Sequence, residues 1–409
     1  MKILPIIYMT YMFISMYFLI LSFLLYFVNR KQLFSFPTTT KKYSISFIVP
    51  VWNEEKTVED TIRHIYSIDY KYLKEVIAVN DFSSDNTLQI LEKLKSEFPS
   101  LIVLSNEKNM GKSSSVNRGI EIARGELVAV TDADSYPAKD SLQQMVGFFD
   151  DEKVGAVTCP VLVRNAKTLL EKLQEIEYRV ISFTRKLLDF VDGIYVTPGP
   201  LALYRKKALE SVGNFDTKNM TEDIELTWRL LSQGWKRRMA LGTQVTTTAP
   251  TKFKSWYKQR VRWSVGGNQC MVKYRKEFLK RGMLGMFVLP FFVLQSFLGV
   301  LGLGVFGYVL ITRALSDIIF TKYSLSAGVP LLTIEDFFIT PSFLNYLGLV
   351  LFVLGLIFSI IILCIMKGAV LKNYNPLTLF FYSLIYLAVY PFIALNSLYK
   401  YFKGNYTWR

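Results

Sequence analysis

Residues 4–28 run without one charged side chain, and no other feature narrows the fold of this chain so sharply. The stretch exceeds the roughly 20 residues that an α-helix needs to cross a hydrocarbon core. A signal peptide would have a shorter apolar core and a small-residue cleavage site, and neither is present. Three more apolar blocks follow, at residues 283–312, 343–366 and 377–398. The first is long enough for a tilted span with an interfacial turn. Between them lies a polar middle, residues 30–280, long enough for one large soluble domain. The 51% hydrophobic content, high for a soluble globular protein, is concentrated in the end blocks. Lys2 alone precedes the first span, whereas Arg30, Lys31, Lys41 and Lys42 follow it. The positive-inside rule therefore puts the middle domain in the cytoplasm.

Net charge is +15, which could point to nucleic acid, but its distribution argues otherwise. Residues 252–281 carry ten Lys and Arg against one acid, Glu277, and abut a membrane span. Anionic lipid headgroups are the simplest partner for such a run, and a solvated basic face is the plainer alternative. No zinc-finger or RNP-type signature supports nucleic-acid binding. Cys159, Cys270 and Cys364 are too far apart to suggest a disulfide framework or a zinc site. His64, the one histidine, falls in an expected helix, which leaves a serine-protease-type triad without support.

The middle alternates short apolar runs with helical stretches. Strands are expected at Ile45–Val49, Val76–Val79, Leu101–Leu104 and Leu127–Val130. Asn53 is the expected cap of the helix after the first strand, with Glu54 and Glu55 in its first turn, and Gly111–Ala123 reads as another helix. This alternation predicts an α/β domain with a mostly parallel sheet, where ligands bind beyond the carboxyl ends of the strands. Asp81 and Asp132 both fall there. Residues 165–190 read as one or two amphipathic helices able to lie on a membrane. Leu201–Tyr204 reads as a strand and Glu222–Ser232 as a helix. Neither GxGxxG nor GxxxxGK[ST] occurs, which argues against a Rossmann dinucleotide enzyme and a P-loop ATPase.

Several clusters can carry chemistry. Asp132 and Asp134 alternate just past a strand, where a hard cation, Mg²⁺ or Mn²⁺, could take a carboxylate and be completed by substrate phosphates. The same residues also read as a solvated acidic turn. Asp81 can accept hydrogen bonds from a base or ribose, or simply cap a helix. Lys112, in Asn109-Met110-Gly111-Lys112, puts an ammonium at a helix start that favours anions. Asp223 lies beside Glu222, and two neighbouring carboxylates resist joint ionisation, as a general base requires. Thr-Glu-Asp is equally ordinary helix N-terminal chemistry. Gln259, Arg262 and Trp263 share one face of an expected helix. Arg offers planar donors for a diphosphate and Trp a flat ring for a sugar, although both also favour membrane boundaries.

Taken in order, these strings resemble the membrane-bound processive glycosyltransferases of family 2, which include cellulose, chitin, hyaluronan and poly-N-acetylglucosamine synthases. The resemblance rests on Ile48-Val49-Pro50-Val51-Trp52-Asn53-Glu54-Glu55, Val79-Asn80-Asp81-Phe82-Ser83-Ser84-Asp85, Asn109-Met110-Gly111-Lys112, Asp132-Ala133-Asp134, Thr221-Glu222-Asp223 and Gln259-Arg260-Val261-Arg262-Trp263. It covers residues 44–270. It implies a GT-A fold using a UDP-sugar, with Asp81 at the uridine, Asp132 and Asp134 at nucleotide and metal, and Asp223 as the base. Gln259, Arg262 and Trp263 would clamp the diphosphate and stack on the acceptor, and Lys112 and Glu222 would join the donor site. Size, Thr-Glu-Asp and the tail Tyr406-Thr407-Trp408 look most like poly-N-acetylglucosamine synthases. Gly199-Pro200-Leu201-Ala202-Leu203-Tyr204-Arg205 looks more like hyaluronan synthases. Phe82 stands where the family has glycine, and Trp52 where it more usually has tyrosine.

The expected organisation is a membrane helix over 1–29, a cytosolic catalytic domain over 30–250, interfacial helices over 251–282 and a membrane region over 283–409. The expected activity is inverting, metal-dependent polymerisation of a UDP-sugar, foremost UDP-N-acetylglucosamine, at the plasma membrane. Expected partners are the donor, a growing polysaccharide or lipid-linked acceptor and membrane lipids, with room for a small accessory membrane subunit and no nucleic acid. Three rivals remain: a non-processive enzyme glycosylating a lipid, a catalytically silent nucleotide-sugar sensor, and a transporter. The last would need polar residues at mid-membrane depth, and the apolar blocks offer little beyond Gln295 and Asn396.

Overall fold

The computed structural model describes residues 3–327, 343–366, 375–404 and 406. Thr407 and Trp408 of the aromatic tail lie outside them. The chain opens with helix α1 (Ile3–Asn29) and then enters the α/β domain. Strand β1 (Ile45–Val51), helix α2 (Val58–Tyr66), strand β2 (Leu73–Asn80), helix α3 (Thr87–Glu97), strand β3 (Leu101–Ser105), helix α4 (Lys112–Ile122) and strand β4 (Leu127–Val130) follow one another. These four strands pair in parallel in the order β3-β2-β1-β4. Their continuous apolar runs are what a sheet covered on both faces demands. Phe47, Val49 and Val51 pack into one core layer and Ile48 into the opposite one.

Three later strands complete this sheet. Strand β5 (Ser135–Pro137) leaves it, and β6 (Val154–Thr158), β8 (Ala202–Arg205) and β9 (Lys236–Met239) extend it past β4 as β8-β6-β9. Strand β8 runs antiparallel to both neighbours, so the seven-stranded sheet is mixed. Strands β5, β7 (Val161–Val163) and β10 (Val245–Thr247) form a small second sheet. The chain leaves β1 towards β2 on one side, while β4 lies on the other. A cleft therefore opens at the carboxyl ends, where β2 delivers Asp81 and β4 delivers Asp132.

After the short helix α5 (Ser141–Val146), residues 165–190 hold a single long helix, α6 (Leu169–Asp189), started by a capping box between Thr168 and Glu171. It is not a surface element: Ile176, Phe183 and Leu187 are fully or almost fully buried. One side packs with Trp256 and Tyr386, another with Phe23, Phe358 and Ile362 from the apolar helices. Helix α7 (Lys206–Val212) follows β8, and helix α8 (Glu222–Ser232) and helix α9 (Phe253–Lys273), which carries the Gln-Arg-Val-Arg-Trp string, close the domain.

Among the described residues four helices are long and apolar enough to cross a membrane: Pro5–Asn29, Leu284–Ala327, Tyr346–Ile365 and Pro376–Lys403. They coincide with the four apolar blocks, but the second runs 15 residues beyond the expected end at 312. The chain is thus an α/β domain with a mostly parallel sheet, flanked by helices long and apolar enough to cross a membrane, as the sequence predicts.

The expected cap after β1 also fails. The helix after β1 starts at Val58 with Thr57 before it, so Asn53 caps nothing. Asn53 instead takes a left-handed φ of 54°, which asparagine tolerates better than most residues. Its Oδ1 accepts from the Ser84 N–H at 2.7 Å, and its own N–H donates to Ser83 Oγ at 3.0 Å. Its part is to join the loops after β1 and β2 at the mouth of the cleft.

Candidate active site

Lys112 is the hub of the cleft. Its Nζ lies 2.5 Å from Asp132 Oδ1 and 3.0 Å from Glu222 Oε1. Three sequence-distant strings, Asn-Met-Gly-Lys, Asp-Ala-Asp and Thr-Glu-Asp, thereby meet at one ammonium. Burial opposes the charge of Lys112, but Asp132 and Glu222 outweigh it and hold its pKa above the ordinary lysine value. Gly199 sits against this pair. A Cβ there would lie 2.7 Å from Lys112 Nζ and 3.2 Å from both Asp132 oxygens. A side chain at 199 would have to displace the Lys112 ammonium. Thr131 donates to the Pro200 carbonyl and fastens that loop to the end of β4.

Asp81 is buried and answered by protein donors. Its Oδ1 accepts from Asn106 Nδ2 at 2.7 Å and from the Met110 N–H at 2.8 Å, and its Oδ2 from the Gly111 N–H at 2.8 Å. The anion that settles at the start of α4 is therefore Asp81 itself, and its carboxylate shapes the loop that delivers Lys112. Phe82 follows with φ 61°, in the region where glycine is at ease and a bulky residue is an outlier. Its side chain is exposed, as is that of Trp52 on the loop joined to it by Asn53.

Asp134 is half-buried, with Oδ1 accepting from Ser135 Oγ at 3.2 Å and Thr247 Oγ1 at 3.4 Å. Burial, then the charges of Asp132 and Glu54, push its pKa up to about 6. Glu54 is itself raised, by burial and then by Asp132 and Asp85, with Thr57 opposing. Sequence reading assigned Glu54 only to a helix start, but it stands with the Asp-Ala-Asp carboxylates. A concentration of half-buried carboxylate oxygen suits a hard divalent cation. Among the described residues no three His, Cys, Asp or Glu side chains are arranged to hold a metal by themselves. A cation held mainly by Asp134 would need oxygens from substrate phosphates and water, as Mg²⁺ commonly does.

Asp223 occupies the first turn of α8, with Oδ1 accepting from the Ile224 N–H at 2.9 Å. Burial and the adjacent Glu222 push its pKa up to about 6, against Lys112, the Ile224 N–H and Arg262. A carboxylate poised there can accept a proton near neutral pH. The turn is held by α9. Gly266 packs so closely on Thr221 that a Cβ at 266 would clash with the Thr221 side chain, and Gln269 Oε1 accepts from the Met220 N–H at 2.8 Å.

Arg262 points at the same turn, with Nη1 3.4 Å from the Met220 carbonyl. Gln259 Oε1 accepts from Arg260 Nη1 at 2.5 Å. Trp263 is half-buried, and the Arg260 guanidinium lies 4.2 Å from its ring centroid. The structure thus gathers Lys112, Asp132, Glu222, Asp223 and Arg262 at one place. Asp81 lies behind the loop that carries Lys112, and Asp134 lies with Glu54. Arg260, which had no separate role in the sequence reading, is the most heavily partnered residue of its string.

Residues 43–266 match the model of glycosyltransferase-like family 2. The chain belongs to that family and is a transferase with a GT-A fold and membrane helices. It is 30% identical over 321 residues to a Staphylococcus epidermidis protein named poly-β-1,6-N-acetyl-D-glucosamine synthase, covering 77% of each chain. A Staphylococcus aureus (strain COL) protein of the same name is 32% identical over 258 residues, which span 63% of this chain and 62% of the relative. Among solved structures, a mannosyltransferase from Pyrobaculum calidifontis, in complex with GDP-Man and Mn²⁺, superposes with a TM-score of 0.62. That likeness covers 98% of this chain and all of the other, and at 19% identity it speaks for the fold.

Proposed function

We propose that this protein polymerises N-acetylglucosamine from UDP-N-acetylglucosamine into a β-linked polysaccharide and passes the chain through its membrane helices. The carrying observation is the meeting of Asp132, Glu222 and the Asp223 turn at Lys112, beside the Gln-Arg-Val-Arg-Trp helix that packs on the last membrane segment. The names of the staphylococcal relatives support the sugar. In this reading the catalytic domain faces the cytoplasm, where the donor is made, and the membrane is the plasma membrane.

Asp223 takes the proton from the acceptor hydroxyl, and that oxygen attacks the anomeric carbon from the face opposite UDP. One base and no covalent nucleophile suffice, and the configuration inverts. Asp134, with Asp132 nearby, would hold Mg²⁺ or Mn²⁺, which would supply positive charge to a departing diphosphate. Arg262 and Lys112 add fixed positive charge on the same side, and Gln259 supports the clamp. Asp81 orders the loop against which the uracil and ribose rest. Trp263 receives the acceptor sugar.

The test is to incubate membranes containing the protein with a panel of UDP-sugars and Mn²⁺ or Mg²⁺, then to size the product. Long polymer from UDP-N-acetylglucosamine is expected. A single sugar on a lipid would replace this reading with that of a lipid glycosyltransferase, and donor binding without UDP release would make the protein a sensor.

A further inference from the structure

Among the described residues four arginines are buried, and three have clear partners. Arg179 pairs with Glu175 and the Met366 carbonyl, Arg237 donates to backbone carbonyls including those of Asp192 and Ile194, and Arg260 pairs with Glu177. Arg185 is different. Its side chain is 7% exposed, and Nε and Nη1 are buried with no hydrogen-bond partner. Among the described residues it makes no ion pair. A buried guanidinium with open N–H groups is costly, and such a cost persists where a ligand offsets it.

The surroundings say which ligand. Arg185 lies on α6 within electrostatic reach of Tyr195 and Asp223, and burial holds its pKa below the ordinary value. Tyr195 belongs to the loop that packs on the first C-terminal membrane helix. Its ring meets Phe292 edge-on at 5.0 Å, and a Cβ on Gly193 would lie 3.3 Å from the Phe287 ring. The same loop reaches the base. Thr197 N–H donates to Thr227 Oγ1 at 3.0 Å, and that hydroxyl donates to the Asp223 carbonyl at 2.6 Å. The open donors therefore lie where α6, the membrane helix and the turn of Asp223 converge. The donor-side ammonium, Lys112, meets the neighbouring Glu222.

We propose that Arg185 belongs to the acceptor subsite, where its Nε–H and Nη1–H donate to neutral oxygens of the terminal acceptor sugar and hold the attacking hydroxyl at Asp223. Neutral oxygens fit better than a phosphate for two reasons. A second anion beside Asp223 would be repelled, and a phosphate acceptor brings its own nucleophilic oxyanion and needs no base. The assignment rests on the synthase reading above. It makes Arg185 the counterpart, on the acceptor side, of Arg262 on the donor side.

Purified full-length protein in lipid nanodiscs can be assayed with UDP-N-acetylglucosamine and soluble β-linked N-acetylglucosamine oligosaccharides as acceptors. Arg185→Met should raise the acceptor KM at least tenfold and leave UDP affinity within twofold. Donor hydrolysis without acceptor should persist, and the thermal midpoint should not fall, because the substitution removes an unanswered buried charge. Arg185→Lys keeps the charge but loses the fork, and should also raise the acceptor KM. If either folded variant keeps the wild-type acceptor KM, or loses UDP affinity in equal measure, the assignment is overturned. Selective loss of transfer to a polyprenyl phosphate would overturn it as well. Wild-type protein that elongates no oligosaccharide would instead overturn the synthase reading.

Discussion

The guanidinium of Arg260 clasps the carboxylate of Glu177, with Nη2 2.5 Å from Oε2 and Nε 3.3 Å from Oε1, and both residues are almost wholly out of water. Tyr386 donates its hydroxyl to Glu177 Oε2 at 2.7 Å and accepts from Trp256 Nε1 at 2.7 Å. Arg260 Nε also reaches the Tyr390 hydroxyl at 3.2 Å. One buried polar network thus joins α6, the helix bearing Gln259, Arg262 and Trp263, and the last membrane segment. Its position suits a strut that keeps the clamp in register with the membrane helices.

Breaking this strut on one side should be severe. Glu177→Ala leaves the Arg260 charge buried without its partner, a lesion worth about 3–5 kcal/mol. Thermal unfolding of detergent-solubilised protein should show a large drop in midpoint. The double variant Glu177→Leu with Arg260→Met should recover much of it, because apolar replacement of a whole buried pair is often tolerated. A single variant as stable as wild type would remove the pair from the account of how the domains are joined.

Much of the frame was legible in the sequence, and the reasons are local. Leu127–Val130 and Glu222–Ser232 fall on the expected bounds because a short apolar run ending in Asp, and a Thr-Glu-Asp start, are signals carried within a few residues. The network around Arg260 was not legible, since it pairs residues 83 and 130 positions apart and no local pattern marks them. Glu54 was read as an ordinary helix start, and only the fold sets it beside Asp134. Asn53 misled for a related reason. Asparagine suits both a cap and a left-handed turn, and the partners Ser83 and Ser84 that decide between them arrive from another loop.

Transfer should depend on pH through Asp223. A base must be ionised to accept a proton, and burial with Glu222 pushes this carboxyl up to about 6. The rate should therefore be flat above that value and fall roughly tenfold per pH unit below it. An ordinary aspartate, at about 3.9, would place the fall two units lower. Glu222→Gln removes one raising charge and should move the acid limb to lower pH. The measurement is a pH–rate profile at saturating donor and metal, with Asp223→Asn as the control expected to lose about 10²–10⁴-fold. A profile flat down to pH 4 in the wild type would take the role of base away from Asp223.

Metal and donor should bind together. Asp134→Ala should weaken UDP binding at least tenfold when Mn²⁺ is present and change it little in excess EDTA, as titration calorimetry can show. The reason is that the half-buried carboxylate beside Asp132 and Glu54 gains most from a cation, and the cation gains from phosphate oxygens. Full turnover of the wild type in EDTA would dismiss the metal.

Gly199→Ala should cut transfer at least tenfold with only a modest change in thermal midpoint. The added methyl would come within 2.7 Å of Lys112 Nζ and force that ammonium off Asp132 or Glu222. Lys112→Met should produce a similar loss by removing the charge altogether. If Gly199→Ala keeps wild-type kcat and KM, the Lys112 bridge yields too easily to matter for the reaction.

Trp263→Ala should spoil chain growth more than donor hydrolysis. Trp263 shares its helix with Gln259 and Arg262, and that helix packs on the last membrane segment. The Arg260 guanidinium lies over the ring at 4.2 Å, and Glu177 holds Arg260 in turn, so the indole has a fixed attitude. A ring held in this way and only half-buried can still offer apolar area to a sugar. Losing the indole removes that area but leaves Arg262 beside the turn of Asp223 and touches neither Lys112 nor Asp134. UDP affinity should therefore stay within about threefold, while water attacks the donor in place of the acceptor and free sugar accumulates. Trp263→Phe keeps a flat ring and should retain part of the polymer yield. UDP release and polymer formation measured side by side separate the outcomes. Equal loss of both would move Trp263 to the donor clamp, and no loss of either would leave it as an interfacial anchor that braces Arg260.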